Sequence, residues 1–348
     1  MATKHNPHGS AAHIAARWLL PVLGGVLALG MIFWLYGSLD FGRFLLGLRQ
    51  ANPFWIGILT ATILLEQVLN GWKWRQILYD VKPIGTLRLT GAFLAGYGAN
   101  VLVPLGISPL VRAWLVARLD NLKMATVLTT TIIARFIDGV VFALFAGVVA
   151  LAGKVPQIEG NLQLGLSIAG ALNIALFGGL LWMMFRFRAV FATNGPVICR
   201  IFDWIAKRMR ANGPGLRGAL CNGVVWPRAP LRRIAVILAA IATKLVSASH
   251  FVWAGLAVGV LLTSWDYLFL MVFGGFALVL SRFVRIPGGF IIGAGFALKV
   301  LGVSDETALL MILFNYMTSI ILVVGIGLTV LWQSGLDIRR AHLLEETP

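Results

Sequence analysis

Asn100-Val-Leu-Val-Pro104-Leu-Gly106-Ile-Ser-Pro109 interrupts an apolar stretch that runs from Thr86 to Leu119, and Arg282-Phe-Val-Arg285-Ile-Pro287-Gly288-Gly289 interrupts a second one from Trp265 to Leu301. Proline removes a backbone donor and clashes with the preceding turn, so each stretch reads as two half-helices joined by non-helical backbone. Such backbone persists at membrane depth only where protein or a water-filled cavity satisfies the freed groups. Each stretch is therefore either a re-entrant hairpin or a pair of full crossings.

The surrounding composition makes these membrane segments. The chain has 348 residues, 59% of them hydrophobic and only 12% charged, with a mean hydropathy of +0.88. Soluble domains carry about 25% charged residues; half that charge does not keep so apolar a chain in water. Soluble enzymes, nucleic-acid-binding domains and disordered proteins are set aside. Spans of about 20 apolar residues fall at Leu19 to Gly37, Phe54 to Gly71, Met124 to Gly153, Leu162 to Phe185, Ile234 to Leu262 and Ala308 to Trp332. Trp72-Lys73-Trp74-Arg75 reads as a headgroup-boundary cluster closing the second span. The expected fold class is all-α: a polytopic membrane protein with about six full transmembrane helices and two Pro/Gly-broken segments.

The net charge of +16 becomes a sidedness label once the spans are drawn. With both broken segments as hairpins, twenty of the 29 cations fall on one side, which the positive-inside rule makes cytoplasmic. Both termini are then cytoplasmic. Residues 1–17 form a tail, 18–333 one transmembrane domain with a basic cytoplasmic loop at 186–233, and 334–348 a C-terminal tail. The same arrangement contains a crude inverted repeat, a span, a broken hairpin and a returning span, first over Phe54 to Gly153 and again over Ile234 to Trp332. Inverted repeats whose broken helices meet near the midplane are a common transporter architecture, with the substrate site at the break. Gly91-x4-Gly96 and similar stretches suit helix packing within the chain or between chains.

Few polar residues lie within the apolar spans. Arg135 and Asp138, three apart, project from one helix face. They read as a structural ion pair, or as an arginine for a lipid phosphate held in place by Asp138. Arg282 and Arg285 flank the second break beside backbone amides, an arrangement suited to an anionic headgroup; in a full crossing they are ordinary boundary arginines. Arg112 repeats that argument more weakly after the first break, and Asn100 suits either the free backbone there or a ligand. Glu66 and Lys244 are single ionisable residues in spans. The candidate substrate-binding residues are thus Arg135, Asp138, Arg282, Arg285, Arg112 and Asn100, with Pro104, Gly106, Pro109, Pro287, Gly288 and Gly289 as the structural breaks.

No catalytic constellation emerges: there is no Gly-x-Ser-x-Gly elbow, P-loop or His-Glu-x-x-His. His5, His8 and His13 read as a solvated tail, and neither a metal nor a cofactor is expected. Cys199 and Cys221 do not make a disulfide framework. The loop at 186–233 carries ten cations, explained by topology alone, with headgroup recruitment as an additional role. Within it, residues 202–210 suit a short interfacial amphipathic helix.

Trp72-Lys-Trp-Arg75, Asn100-x3-Pro104-x-Gly106 followed by Arg112, Arg135-x2-Asp138, and Pro287-Gly288-Gly289 before a final span fall in an order that resembles the lysylphosphatidylglycerol synthase transmembrane region, or flippase-like membrane family. The resemblance extends from about Trp18 to Trp332. It implies an integral inner-membrane protein of bacteria that moves or presents a lipid between leaflets; in two-domain members an attached synthase domain makes the lipid. Here about fifteen residues follow the last expected span, and no synthase domain is expected. The sequence looks most like the hopanoid-associated branch. It departs from the family pattern where Gly106-Ile-Ser-Pro-Leu-Val-Arg112 lacks the usual Gly-Glu, where Ala294 stands for a glutamate, and near Tyr316, where an arginine is usual. Those losses suit a less polar substrate such as a hopanoid.

The leading expectation is a non-enzymatic translocator of a hopanoid, glycolipid or anionic phospholipid, with membrane lipid as its substrate and no nucleic-acid partner. One alternative is a scaffold for lipid-biosynthesis enzymes. Another is a membrane-embedded transferase on a lipid-linked donor, for which Glu66 with Asp138 is the only acid–base pair on offer.

Overall fold

The computed structural model describes residues 26, 29–31, 33–102, 107–152, 160–183, 186, 226–284 and 288–345. No strand occurs among them, and the chain is an all-α multi-pass membrane protein. Among the described residues from 41 onward, ten α-helices carry the fold: α1 (Phe41–Gln50), α2 (Pro53–Leu78), α3 (Thr86–Leu102), α4 (Ser108–Leu119), α5 (Met124–Ala152), α6 (Gly160–Asn173), α7 (Pro230–Ala257), α8 (Ser264–Val284), α9 (Gly289–Val300) and α10 (Asp305–Glu345). A π-helical turn at Ile174–Gly178 extends α6, and helical backbone continues to residue 183. Of the expected first crossing, residues 26, 29–31 and 33–37 are described, helical as far as residue 36 and turning at Gly37. Pro104, Gly106, Arg285 and Pro287 lie outside the described residues, as do Cys199, Cys221 and most of the basic loop.

Local chemistry starts the helices where the sequence permits. Asn52 caps α2, its side chain accepting from the Phe54 amide, and Pro53 occupies the first turn, where its missing N–H costs nothing. Pro230 and Pro109 do the same for α7 and α4. Asp40 caps α1 by accepting from the amides of Gly42 and Arg43. Gly288 enters α9 with φ of 73°, a left-handed conformation that favours glycine.

Both broken segments fold back on themselves. In the first, Arg88 near the start of α3 donates to the Leu119 carbonyl at the end of α4 (3.1 Å), while a Cβ on Gly96 would meet Arg112 and Ser108. In the second, the register is set by small residues: a Cβ on Gly289 would strike Ser281, and one on Gly293 would strike Ala277, while the rings of Phe273 and Phe296 stack at 5.7 Å. The pairs 96 with 112 and 277 with 293 define antiparallel helices in close contact. At 12 residues each, α4 and α9 are about 18 Å long, against a hydrocarbon thickness near 30 Å. Each therefore returns only about halfway across such a layer. Both segments are therefore helical hairpins, and by length and composition α8 is itself one of the candidate membrane spans among the described residues.

Two polar rims fix the helix directions. On one face the Asn52 amide donates to the Ala257 carbonyl (2.8 Å), Ser38 donates to Asp305 (3.0 Å), the Asp40 amide donates to Glu306 (3.1 Å) and Lys299 pairs with Asp305 (3.2 Å). On the other, Lys82 donates to the Asp120 carbonyl (2.7 Å), Arg88 pairs with Asp120 (3.2 Å), the Arg228 amide donates to Asp80 (2.7 Å) and the Arg232 guanidinium lies 3.1 Å from the Tyr79 ring centroid. Hence α2 and α7 run antiparallel, hairpin α3–α4 opens on the Tyr79 face, and hairpin α8–α9 opens on the Asn52 face.

This is the inverted repeat. The first unit is α2, α3–α4 and α5; the second is α7, α8–α9 and α10. Packing follows the symmetry: α2 and α7 lie against each other, each covers its own hairpin, and each unit's returning helix lies against the other's hairpin, α10 on α3 and α5 on α8. The α10–α3 crossing is the tighter, because Gly327 and Gly98 let the backbones touch; a Cβ on Gly327 would lie 2.2 Å from the Leu94 carbonyl oxygen. Gly91 faces Val330 in the same crossing.

The second span runs further than the sequence suggested. Trp72-Lys73-Trp74-Arg75 does not end at a headgroup boundary: α2 continues to Leu78, and Lys73 and Trp74 are each 1% exposed. Hairpin α3–α4 and α5 cover the last two turns of α2, and the Trp74 indole donates to Thr130 of α5 (3.1 Å).

Candidate functional site between the hairpins

The helices of both units line a half-open cavity of about 470 Å³. Hairpin α3–α4 contributes Tyr97 and Asn100, and hairpin α8–α9 contributes Gly275, Leu278 and Phe290. The long helices supply most of the polarity: Glu66 and Gln67 from α2, Lys244, Ser247 and His250 from α7, and Asn315, Tyr316 and Ser319 from α10. Polar side chains at helical spacing place this polarity. Residues 66, 67 and 70 share a face of α2 with Lys73, as 244, 247 and 250 share one of α7.

Several of these groups are unsatisfied. Gln67 Oε1, Asn100 Oδ1 and His250 Nε2 are buried without a hydrogen-bond partner, although leaving such a group unpaired costs about 1–3 kcal/mol. Glu66 Oε2 stands 3.8 Å from His250 Nε2. The Lys244 ammonium lies 5.6 Å from the Phe142 ring centroid and makes no ion pair among the described residues. Phe290 and Tyr316 stack at 5.8 Å with an interplanar angle of 20°, giving the cavity an aromatic wall.

Around the cavity, the candidate residues read from the sequence fall in different places. Asn100 lines it. Arg112 sits behind Tyr97, 1% exposed, its guanidinium 3.5 Å from the Phe93 centroid and 4.5 Å from that of Tyr97, with Nε and Nη2 unpaired. Asp138 pairs with Lys73 of α2, not with Arg135. Lys73 also donates to Asn70 (3.0 Å). Arg135 is exposed on α5 and makes no ion pair or hydrogen bond among the described residues. The expected Arg135–Asp138 pair gives way because Lys73, buried by the longer α2, brings a charge that must be neutralised at once. Arg282 belongs to α8, its side chain outside the description. Pro109 and Gly289 begin the short arms of the two hairpins. Glu66 and Asp138 do not share the cavity: Glu66 lines it, whereas Asp138 is engaged by Lys73.

Gln67, Tyr97, His250, Asn315 and Ser319 were not singled out from sequence. The signal available was a polar stripe at helical spacing within an apolar span. Tyr316, the region where the family resemblance leads one to expect an arginine, lies in the cavity wall. A second cavity of about 320 Å³ lies against the outer side of hairpin α8–α9, lined by Trp34, Phe273, Ala277, Ile292 and Phe296 and almost wholly apolar. Among the described residues no cluster of three or more His, Cys, Asp or Glu could hold a metal ion.

Comparison with known proteins adds one result. A family model described as the lysylphosphatidylglycerol synthase TM region matches residues 22–331. No curated protein and no solved structure gives a significant match.

Proposed function

Because the chain belongs to the lysylphosphatidylglycerol synthase transmembrane-region family, we propose that it is a lipid translocator, without catalytic activity of its own, in which the cavity between the two hairpins receives the lipid headgroup on its way between leaflets. The observation that carries this reading is the set of polar residues, Glu66, Gln67, Asn100, Lys244, His250 and Asn315, lining one cavity where both inverted units meet. Discontinuous helices that bring such groups to the bilayer midplane are the usual substrate site of inverted-repeat transporters. Polar groups at that depth are expensive to retain without a use.

The two hairpins open on opposite faces, so a headgroup between them reaches either leaflet by small movements of one unit against the other. The Tyr79 face is the cytoplasmic one in this reading, since Lys82, Arg88, Arg118, Lys123, Arg228 and Arg232 gather on it. Arg112, behind Tyr97, biases the hairpin α3–α4 side of the cavity toward negative groups. Arg135, on the outer surface of α5, meets a lipid phosphate before the headgroup enters. The apolar cavity beside hairpin α8–α9 suits the hydrocarbon part of the same lipid.

Reconstitution tests the reading. Liposomes carrying the protein should exchange a labelled lipid between leaflets faster than protein-free liposomes. Exchange no faster than in empty liposomes, across anionic phospholipids, glycolipids and hopanoids alike, would overturn it.

A further inference from the structure

Where the end of α2 meets the start of α7, an open groove on the Tyr79 face is lined by Arg75, Gln76 and Tyr79 from the first unit and by Ala229, Leu231 and Arg232 from the second. It shares no lining residue with the cavity between the hairpins. We propose that this groove binds the phosphate of an anionic membrane lipid, held jointly by Arg75 and Arg232.

Both guanidiniums are available for such a ligand. The cluster that turns Lys73 and Trp74 into the bundle leaves Arg75 half-buried on another side of α2. Among the described residues, neither Arg75 nor Arg232 makes an ion pair or a hydrogen bond. Both instead lie by the Tyr79 ring, 5.9 and 3.1 Å from its centroid. A guanidinium against an aromatic ring engages its face and leaves its N–H edge for a planar, bidentate partner. Of the Arg75 nitrogens only Nε is buried without a partner, so the terminal pair faces the groove. Two cations gathered at one ring repel each other, and a phosphate placed between them accepts from both.

The surroundings favour a group of net negative charge. Asp80, next to Tyr79, accepts from the Arg228 amide (2.7 Å) and pairs with neither guanidinium. Residues 187–225, which precede this end of α7 in the chain, contain Asp203 as their one acidic residue. The 28-residue α7 begins at the groove with no side chain capping it, which adds the positive end of a long helix dipole. A zwitterionic headgroup would bring its ammonium toward Arg228 and Arg233 as well.

A lipid fits better than a soluble anion because the groove continues into an apolar surface. Leu231 forms its wall and also starts an exposed stripe on α7 that runs through Ile234 and Leu238, at the spacing of one helix face. An acyl chain lies along that stripe while the phosphate stays at the arginines. The bound lipid then ties Arg75 of the first unit to Arg232 of the second.

The test uses the full chain in phosphatidylcholine nanodiscs, with retention measured by native mass spectrometry for phosphatidylglycerol, phosphatidylethanolamine and diacylglycerol of matched acyl chains. Phosphatidylglycerol should be retained about ten-fold better than either, the ratio that one charged hydrogen bond supplies. Arg75→Gln and Arg232→Gln should each lower its retention by about the same factor. Arg228→Gln, which removes an exposed arginine of the same face outside the groove, should lower it by less than about three-fold. Excess glycerol phosphate should leave the lipid bound. In the unaltered protein, phosphatidylglycerol with a photoreactive headgroup should crosslink to residues 75–79 and 229–235, a readout that stands where a variant fails to fold. Equal retention of the three lipids would overturn the proposal, as would an equal loss in all three variants, which would mark a diffuse positive surface. So would displacement by glycerol phosphate, the mark of a soluble-anion site, or crosslinks confined to other segments. None of these readouts involves passage through the cavity, so the site stands or falls apart from translocation.

Discussion

Lys73 and Asp138 are two charges that the fold has set on each other inside an apolar helix bundle. Lys73 is 1% exposed, and the Asp138 side chain keeps 25% of its surface open. Removing one partner of a buried pair strands the other, at a cost of about 3–5 kcal/mol. The stranding is unequal: Asp138→Asn leaves a fully buried ammonium, whereas Lys73→Met leaves a carboxylate that is only partly buried. Asp138→Asn should therefore lower the thermal midpoint of the purified protein more than Lys73→Met, and the double variant should recover much of the loss. Strictly additive losses would show that the charges act independently. This pairing was not legible in the sequence, where Lys73 stood among tryptophans and Arg75 as a boundary cation, and Asp138 stood three residues from Arg135. Only the continuation of α2 to Leu78, and its burial under α5 and hairpin α3–α4, brings Lys73 to Asp138. Asn100 was easier to read, because a polar residue at a proline break has few apolar uses.

The hairpins are held by the absence of side chains. Gly325 and Gly327 lie two residues apart on α10, yet a Cβ on Gly327 would stand 2.2 Å from the Leu94 carbonyl oxygen, while one on Gly325 meets nothing within 4 Å. Gly327→Ala should push α10 away from α3 and destabilise the protein by about 1–3 kcal/mol. Gly325→Ala should leave the thermal midpoint within the effect of about 1 kcal/mol expected from helix propensity. Equal effects would contradict the α10–α3 crossing. At this scale the sequence was informative: Pro and Gly marked both breaks, and Gly288 supplies the left-handed turn into α9. It did not choose between hairpins and full crossings. That choice depends on long-range contacts such as Arg88 with Leu119 and Gly293 with Ala277, which no local pattern encodes.

Across the whole molecule, the two units are related by inversion, and the rims assign both ends of α2 and α7 and the open ends of the two hairpins to one of two faces. Arg49 lies just before α2 begins on the Asn52 face, and Arg228 lies on the Tyr79 face; both are exposed. In a background without Cys199 and Cys221, Arg49→Cys should react with a membrane-impermeant thiol reagent on intact cells. Arg228→Cys should react only after permeabilisation. Labelling of both from the same side would contradict the crossing pattern. The all-α class, the repeat and the membrane setting were legible because hydropathy and proline breaks report them directly. The cavity was not, since its described lining is drawn from seven helices and its most telling members, Gln67, His250 and Asn315, look individually like isolated polar residues in apolar spans.

The central claim is that a lipid headgroup occupies the cavity between the hairpins. Lipid carrying a thiol-reactive headgroup tests it most directly, applied to cysteine-free protein in membranes with a single cysteine restored at Ser319, Ser247 or Leu245. Ser247 and Ser319 line the cavity, whereas Leu245, at nearly the same depth on α7, is 50% exposed on the outer surface. Covalent lipid adducts should form at Ser319→Cys and Ser247→Cys and be absent at Leu245→Cys. No adduct at either cavity position, or equal labelling at Leu245→Cys, would contradict the claim.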